Sequence, residues 1–246
     1  AKRVQGPDLG VTITGYQPIK FVQDTTASGG QIDRNDRSTC DMPVFRYAEV
    51  LLNYAEAKAE LGEMSEEVWD KTIKPLRERA GVDGTRPTKI DEYLQNAYYS
   101  TDDGNPKITD CDILEIRRER AVELIQEGFR LQDLYRWKAG YCIDQAISGM
   151  YFPGPGEYKL AGKETADLIL YKAGETKPQA GEGVSVYELG SDIILEGITP
   201  SGDISVEDQR PGFNEERDYL YPIPSGERSL NPNLTQNPGW SDGLDF

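Results

Sequence analysis

Apolar residues recur at three- and four-residue spacing through residues 44–61, 65–81 and 112–138, and elsewhere that period is lost. Such spacing lines side chains along one face of a helix, so it predicts a helical body with irregular connections. The first helix is expected to begin near Val44, just after Pro43, whose fixed φ and missing N–H suit a helix start. It should run to Leu61, with Gly62 as its stop. Val50, Tyr54, Ala57 and Leu61 mark its apolar stripe, while Ala48, Ala55 and Ala59 are small enough to let another helix approach closely.

A second helix follows almost at once, with Ser65 as its N-cap, Val68, Trp69, Ile73 and Leu76 as its buried side, and Gly81 as its end. Pro75 cannot sit in a helix interior without costing a hydrogen bond, so a kink or a fresh start is expected there. Residues 91–99 read as a short helix, and the acidic residues 102–106 read as a turn. Residues 112–138 form a long helix pair, capped by Asp110 or Asp112 and interrupted by Gly128, which implies a bend or a close helix contact. Leu124, Ile125, Leu131, Leu134 and Tyr135 are placed to enter a core, and Trp69 and Trp137 lie on apolar helix faces.

Beyond residue 140 glycine, proline and tyrosine become frequent. Residues 167–172, 183–187 and 192–196 alternate or run apolar at strand length and predict a two- or three-stranded element. A short strand at 11–14 and a polar loop at 29–37 are expected near the start. The tail after residue 217, rich in proline and asparagine, suits an extended strip laid over the helical body. The organisation is therefore a helical body at about 43–139, a loop and small β insertion at about 140–217, and a tail at 218–246.

The densest chemistry lies in residues 119–137. Glu119, Glu123 and Glu127 recur at every fourth position, with Arg120, Arg130, Asp133 and Arg136 close by. Paired acids do the work of most glycosidases. Acids at regular helical spacing beside arginines are, however, the pattern of a structural ion-pair network joining helices, because a buried charge needs a fixed partner.

Three blocks resemble the SusD-like (RagB) family of surface glycan-binding lipoproteins. They are residues 119–137, from ERAVELIQEGF to RLQDLYRW; residues 43–58, PVFRYAEVLLNYAEAK; and a C-terminal block running from YLYPIP at Tyr219 to NPNLTQNPGW at Trp240. The resemblance implies a mainly α fold of tetratricopeptide-like helix pairs with long loops and a small β element, the C-terminal part of a SusD-like fold. It further implies a non-catalytic protein that captures oligosaccharide and delivers it to a SusC-like TonB-dependent outer-membrane transporter. The intact protein is expected at the cell surface, lipid-anchored through an N-terminal part of the same protein that this sequence lacks, and that part is also expected to supply stacking partners for the helices.

Composition narrows the ligand. The 246 residues carry 43 acidic against 27 basic side chains, a formal net charge of −16, which repels phosphate backbones and excludes nucleic acid as a natural partner. Neutral glycan is favoured over sulfated or uronate-rich glycan. Histidine is absent, which rules out a histidine-based triad, an imidazole zinc site and a histidine general base within this chain. Cys40, Cys111 and Cys142 lack the spacing of metal ligands, so no metal or cofactor is expected.

Sugar rings need flat apolar faces, and hydroxyls need planar polar groups. Tyr93, Tyr98 and Tyr99 near Asn105, and Tyr151 with Phe152 in a glycine-proline loop, are the candidate ligand contacts. Two other classes remain open: a tetratricopeptide-type adaptor for a protein or peptide, and a carbohydrate-active hydrolase.

Overall fold

The computed structural model describes residues 12, 14–16, 18, 20–21, 41–98, 108–144, 147–159, 164–196, 201–206 and 212–244. The chain divides into two compact units, one made of Ala1–Met42 with Ala146–Arg210 and the other of Pro43–Gln145 with Pro211–Phe246. The class is mainly α with a small β element.

In the helical unit, α1 (Tyr47–Glu60) starts three residues later than expected, and Val44 and Phe45 stay exposed ahead of it. Its end follows the sequence: Gly62 takes a positive φ, and the N–H groups of Gly62 and Glu63 turn back to the carbonyls of Ala59 and Lys58, which closes the last turn. The buried face is Ala48, Leu52, Ala55 and Ala59, whereas Val50, Tyr54 and Leu61 of the expected stripe point to solvent. The cause is close packing. The alanine face lets α5 (Cys111–Glu123) come near, and Leu52 and Ile116 fill the gap.

Ser65 caps α2 (Glu66–Lys71) by accepting from the Val68 N–H at 3.2 Å, a contact of about 1 kcal/mol. The helix breaks at Thr72, and α3 (Ile73–Arg79) restarts with Pro75 in its first turn, where the absent N–H costs nothing. Trp69, Ile73 and Leu76 enter the core shared with α1 and α5, and the Trp69 indole N–H donates to the Gly84 carbonyl at 2.8 Å. Asp91 accepts from the Leu94 N–H at the start of α4 (Glu92–Tyr98). Asp110 accepts from the Asp112 and Ile113 N–H groups at the start of α5.

The pair expected over 112–138 is α5 followed, after a turn at residues 124–128, by α6 (Arg130–Arg136). Gly128 has φ of +83° and open space where a Cβ would sit, so it makes a bend and not a close contact. The turn rotates neighbouring residues apart. Leu124 is buried while Ile125 is exposed, and Leu131 likewise faces outward although Leu134 is buried. Trp137 is only partly buried, against Leu94 and Leu114.

The tail folds back on α6. Phe213, Tyr219 and Tyr221 surround Tyr135 at ring-centroid distances of 6.0, 5.9 and 6.4 Å. Gly140, in a 3-10 turn at Gly140–Asp144, lies so close to Phe213 that a Cβ would sit 2.0 Å from the ring. Beyond α7 (Ser225–Leu230), the buried Arg228 guanidinium binds the Leu234 and Leu244 carbonyls and Asp242.

The β unit holds two small sheets. β2 (Gly156–Tyr158) pairs antiparallel with β3 (Leu168–Lys172), which pairs in parallel with β4 (Ser185–Leu189); β1 (Ser148–Phe152) pairs antiparallel with β5 (Gly202–Ser205). Expected strands at 167–172 and 183–187 correspond to β3 and β4, while 192–196 contributes isolated bridges at Ile193 and Leu195. β1, β2 and β5 are short and glycine-bearing, which hides them from a periodicity reading. Of the strand expected at 11–14, Val11 and Ile13 lie outside the described residues, and Thr12 to Gly15 makes a turn whose Thr14 carbonyl accepts from the Met150 N–H. The loops expected at 29–37 and 102–106 also lie outside the described residues.

Candidate functional site

The acids of residues 119–137 are engaged by arginines from two other parts of the helical unit, α3 and the segment ahead of α1, and by arginines of their own segment. Arg77 of α3 donates to Glu119 at 2.8 Å and to Glu115 at 2.6 Å, all three buried. Burial pulls the Arg77 pKa down, but the bonds to Glu119 and Glu115 outweigh it and leave the pKa raised. Arg46, just ahead of α1, donates to Glu127 at 2.7 Å and to Glu123, which also accepts from Arg79 at 2.6 Å.

Arg120 is the centre of the second half. It grips Asp133 with two bonds of 3.0 and 2.9 Å and donates to Asn53 at 2.7 Å. Arg136 bonds Asp133 at 2.9 Å and Glu56 at 2.6 Å, and Glu56 also accepts from the Trp137 indole N–H. The guanidiniums of Arg117 and Arg136 each stand 4.7 Å from the Trp137 ring, so this tryptophan is a cation–π partner as much as a packing residue. Arg130 lies 5.9 Å from the same ring.

Charge-assisted pairs of this kind orient helices and leave these carboxylates tied as hydrogen-bond acceptors. The ion-pair reading of the sequence therefore has its geometry. The sequence did not reveal the partners: Arg46, Arg77 and Glu56 lie more than 40 residues away from the side chains they meet in residues 119–137, and no local spacing links them.

One grouping has metal-ligand types in reach, Asp110, Cys111 and Asp112. Asp110 already accepts two N–H groups, and Asp112 is held bidentately by Arg86 at 2.9 and 2.6 Å. Burial raises the Cys111 pKa and pushes the Cys142 thiol up to about 11.

Of the expected ligand contacts, Tyr93 is 71% exposed on α4 and Tyr151 is 57% exposed on β1. Tyr98 closes α4, and Tyr99 and Asn105 lie outside the described residues. Phe152 corrects its expectation. It is only 2% exposed, packs edge-on against Tyr158 at 4.9 Å and belongs to the β core, because strand alternation turns it to the opposite face from Tyr151.

The chain combines a mainly helical unit, whose acids at 119–137 are bonded to arginines, with a small β unit. The SusD family model matches residues 2–240, nearly the whole chain, and the chain belongs to that family. Its members are non-catalytic glycan-binding proteins of nutrient uptake, outer-membrane-associated lipoproteins that work with SusC-like transporters. No curated protein and no solved structure matches the chain. No helix among the described residues is long and apolar enough to cross a membrane.

Proposed function

We propose that this protein captures a neutral oligosaccharide at the cell surface and delivers it to a SusC-like TonB-dependent transporter, without breaking a bond itself. The observation that carries the reading is the family match across residues 2–240. Two structural features support it. The acids that a hydrolase would need are bonded to arginines, and Tyr93 and Tyr151 offer exposed rings of the kind on which pyranoses stack. Tyr98, Tyr99 and Asn105 belong to the same proposed set of ligand contacts, and lipid anchoring at the outer membrane holds the protein where its ligand arrives. The net charge of −16 favours a neutral ligand over an anionic one.

The helices α1 and α2–α3, joined across residues 61–65, form in this reading one tetratricopeptide-like pair. A second reading, an adaptor for a protein or peptide, draws on the exposed Val50, Tyr54 and Leu61 of α1. Titration of the protein with neutral glycans, with Tyr93→Ala and Tyr151→Ala alongside, separates the two. Saturable binding to one glycan that weakens in either variant supports capture. Absence of binding to every glycan, together with co-purification of a peptide partner lost on Tyr54→Ala, favours the adaptor.

A further inference from the structure

The tail of the helical unit spends several side chains on holding two apolar residues out in solvent. Tyr221 is 65% exposed and Leu220 is 51% exposed. An exposed tyrosine alone is commonplace. Here, however, the backbone beneath it is fixed at three neighbouring residues. The Trp240 indole N–H donates to the Leu220 carbonyl at 2.8 Å, and the Asn237 side-chain amide donates to the Tyr221 carbonyl at 2.6 Å. The Gln236 amide group bonds both backbone groups of Ile223, accepting from its N–H at 2.7 Å and donating to its carbonyl at 2.9 Å. Pro222 and Pro224 stiffen the same segment further. A flexible loop would bury Tyr221 or let it move; this one holds it still, and a contact residue fixed in place before binding loses little entropy when it binds.

Around Tyr221 lie the group types that sugar hydroxyls require. Its ring centre is 6.4 Å from that of Tyr135, and the Asp218 carboxylate, three residues earlier, is paired with Arg217 at 2.5 Å and accepts from the Asn214 N–H at 2.7 Å. Phe213 and Tyr219 pack against the Tyr135 ring at 6.0 and 5.9 Å. The net charge of −16 disfavours an anionic ligand.

We propose that Tyr221, held by its pinned backbone beside Tyr135, is a stacking platform for a pyranose ring of a neutral glycan, separate from the contacts at Tyr93 and Tyr151. This rests on the capture reading above and adds to it a site in the tail.

The test is native affinity electrophoresis of the full chain in gels containing glucan, mannan, xylan or galactan, with Tyr221→Ala and Tyr221→Phe run beside it. Because Tyr221 is exposed, both variants keep the wild-type circular dichroism spectrum. Tyr221→Ala should weaken retardation by the preferred glycan roughly ten-fold, the scale of one lost aromatic contact, while Tyr221→Phe, which keeps the ring, stays close to wild type. Wild type and Tyr221→Ala retarded equally would overturn the platform and leave capture standing. Equal loss in Tyr221→Phe would also overturn it, by assigning the effect to the hydroxyl. Retardation of none of the proteins by any of the glycans would overturn capture and platform together.

Discussion

Around α5 the helical unit buries two charged groups, Arg77 with Glu115 and Glu119 and Arg120 with Asp133, whereas the β unit is built on Phe152, Leu168, Leu170, Ile193 and Ile204. Among the described residues of the β unit, Asp167 is the only buried charged side chain. The two cores should therefore fail differently. An apolar core loses stability in proportion to the volume removed. A buried ion-pair network adds little over hydrocarbon while intact, yet loses steeply when one member goes, because the charge left behind has no water.

The largest effect should come from Arg120→Met, which removes the buried two-bond partner of Asp133 and leaves that carboxylate to the half-exposed Arg136 alone. It is expected to destabilise the helical unit by about 3–5 kcal/mol in urea unfolding followed by far-UV circular dichroism. Leu170→Ala is the matching lesion in the β unit. It should cost about 2–5 kcal/mol, and Ile204→Val about 1 kcal/mol, giving the graded series that the arginine site lacks. If Arg120→Met costs no more than Ile204→Val, the network is not what holds the helices.

Gly140→Ala sharpens the comparison within the helical unit, because its Cβ would meet the Phe213 ring at 2.0 Å. The tail should loosen at an expense of about 1–3 kcal/mol, visible as faster hydrogen exchange in residues 212–223.

Acid should distinguish the units next. Asp91 has a lowered pKa, chiefly from the Leu94 N–H and then from Arg118, and Asp242 has one chiefly from Arg228. A folded-state pKa below the unfolded one adds stability that is present above the ordinary value of 3.8 and disappears as pH falls through the lower folded value. Every described carboxylate with a lowered pKa, including Glu67, Asp83 and Asp218, belongs to the helical unit. Hydrogen exchange below pH of about 4 should thus accelerate in α4 and the tail before β3 and β4. The reverse order would contradict this assignment.

The smallest effect concerns Lys138, which ends α6 with φ of +53°, a left-handed conformation that costs a side chain. Lys138→Gly should stabilise the helical unit by up to about 1 kcal/mol, read as a rise in Tm.

The contrast also explains what the sequence made legible. Ser65, Asp110, Gly62 and Gly81 act locally, through bonds to residues two to five positions away, and each does what its position suggested. β3 was visible because its apolar run is continuous, and β4 because its apolar residues alternate at strand spacing. The buried face of α1 was not, since alanines facing a close helix outcompete larger residues whose size drew attention to Val50, Tyr54 and Leu61. Ile125 and Leu131 were misplaced because the turn around Gly128 rotates the chain out of helical phase. Phe152 and Tyr151 look alike in sequence and differ only in which side of β1 they leave. The Arg46 and Arg77 partnerships depend on tertiary packing that no spacing encodes. The residues proposed to touch glycan share this difficulty, because exposure and rigidity, not residue type, set Tyr221 apart from the other tyrosines.

The central claim is capture without chemistry. It is tested most directly by incubating the protein with a panel of neutral polysaccharides and measuring, on the same samples, bound glycan and newly formed reducing ends. Saturable binding to at least one polysaccharide with no increase in reducing ends is the predicted result. Reducing ends that accumulate with time, or no binding to any member of the panel, would contradict it.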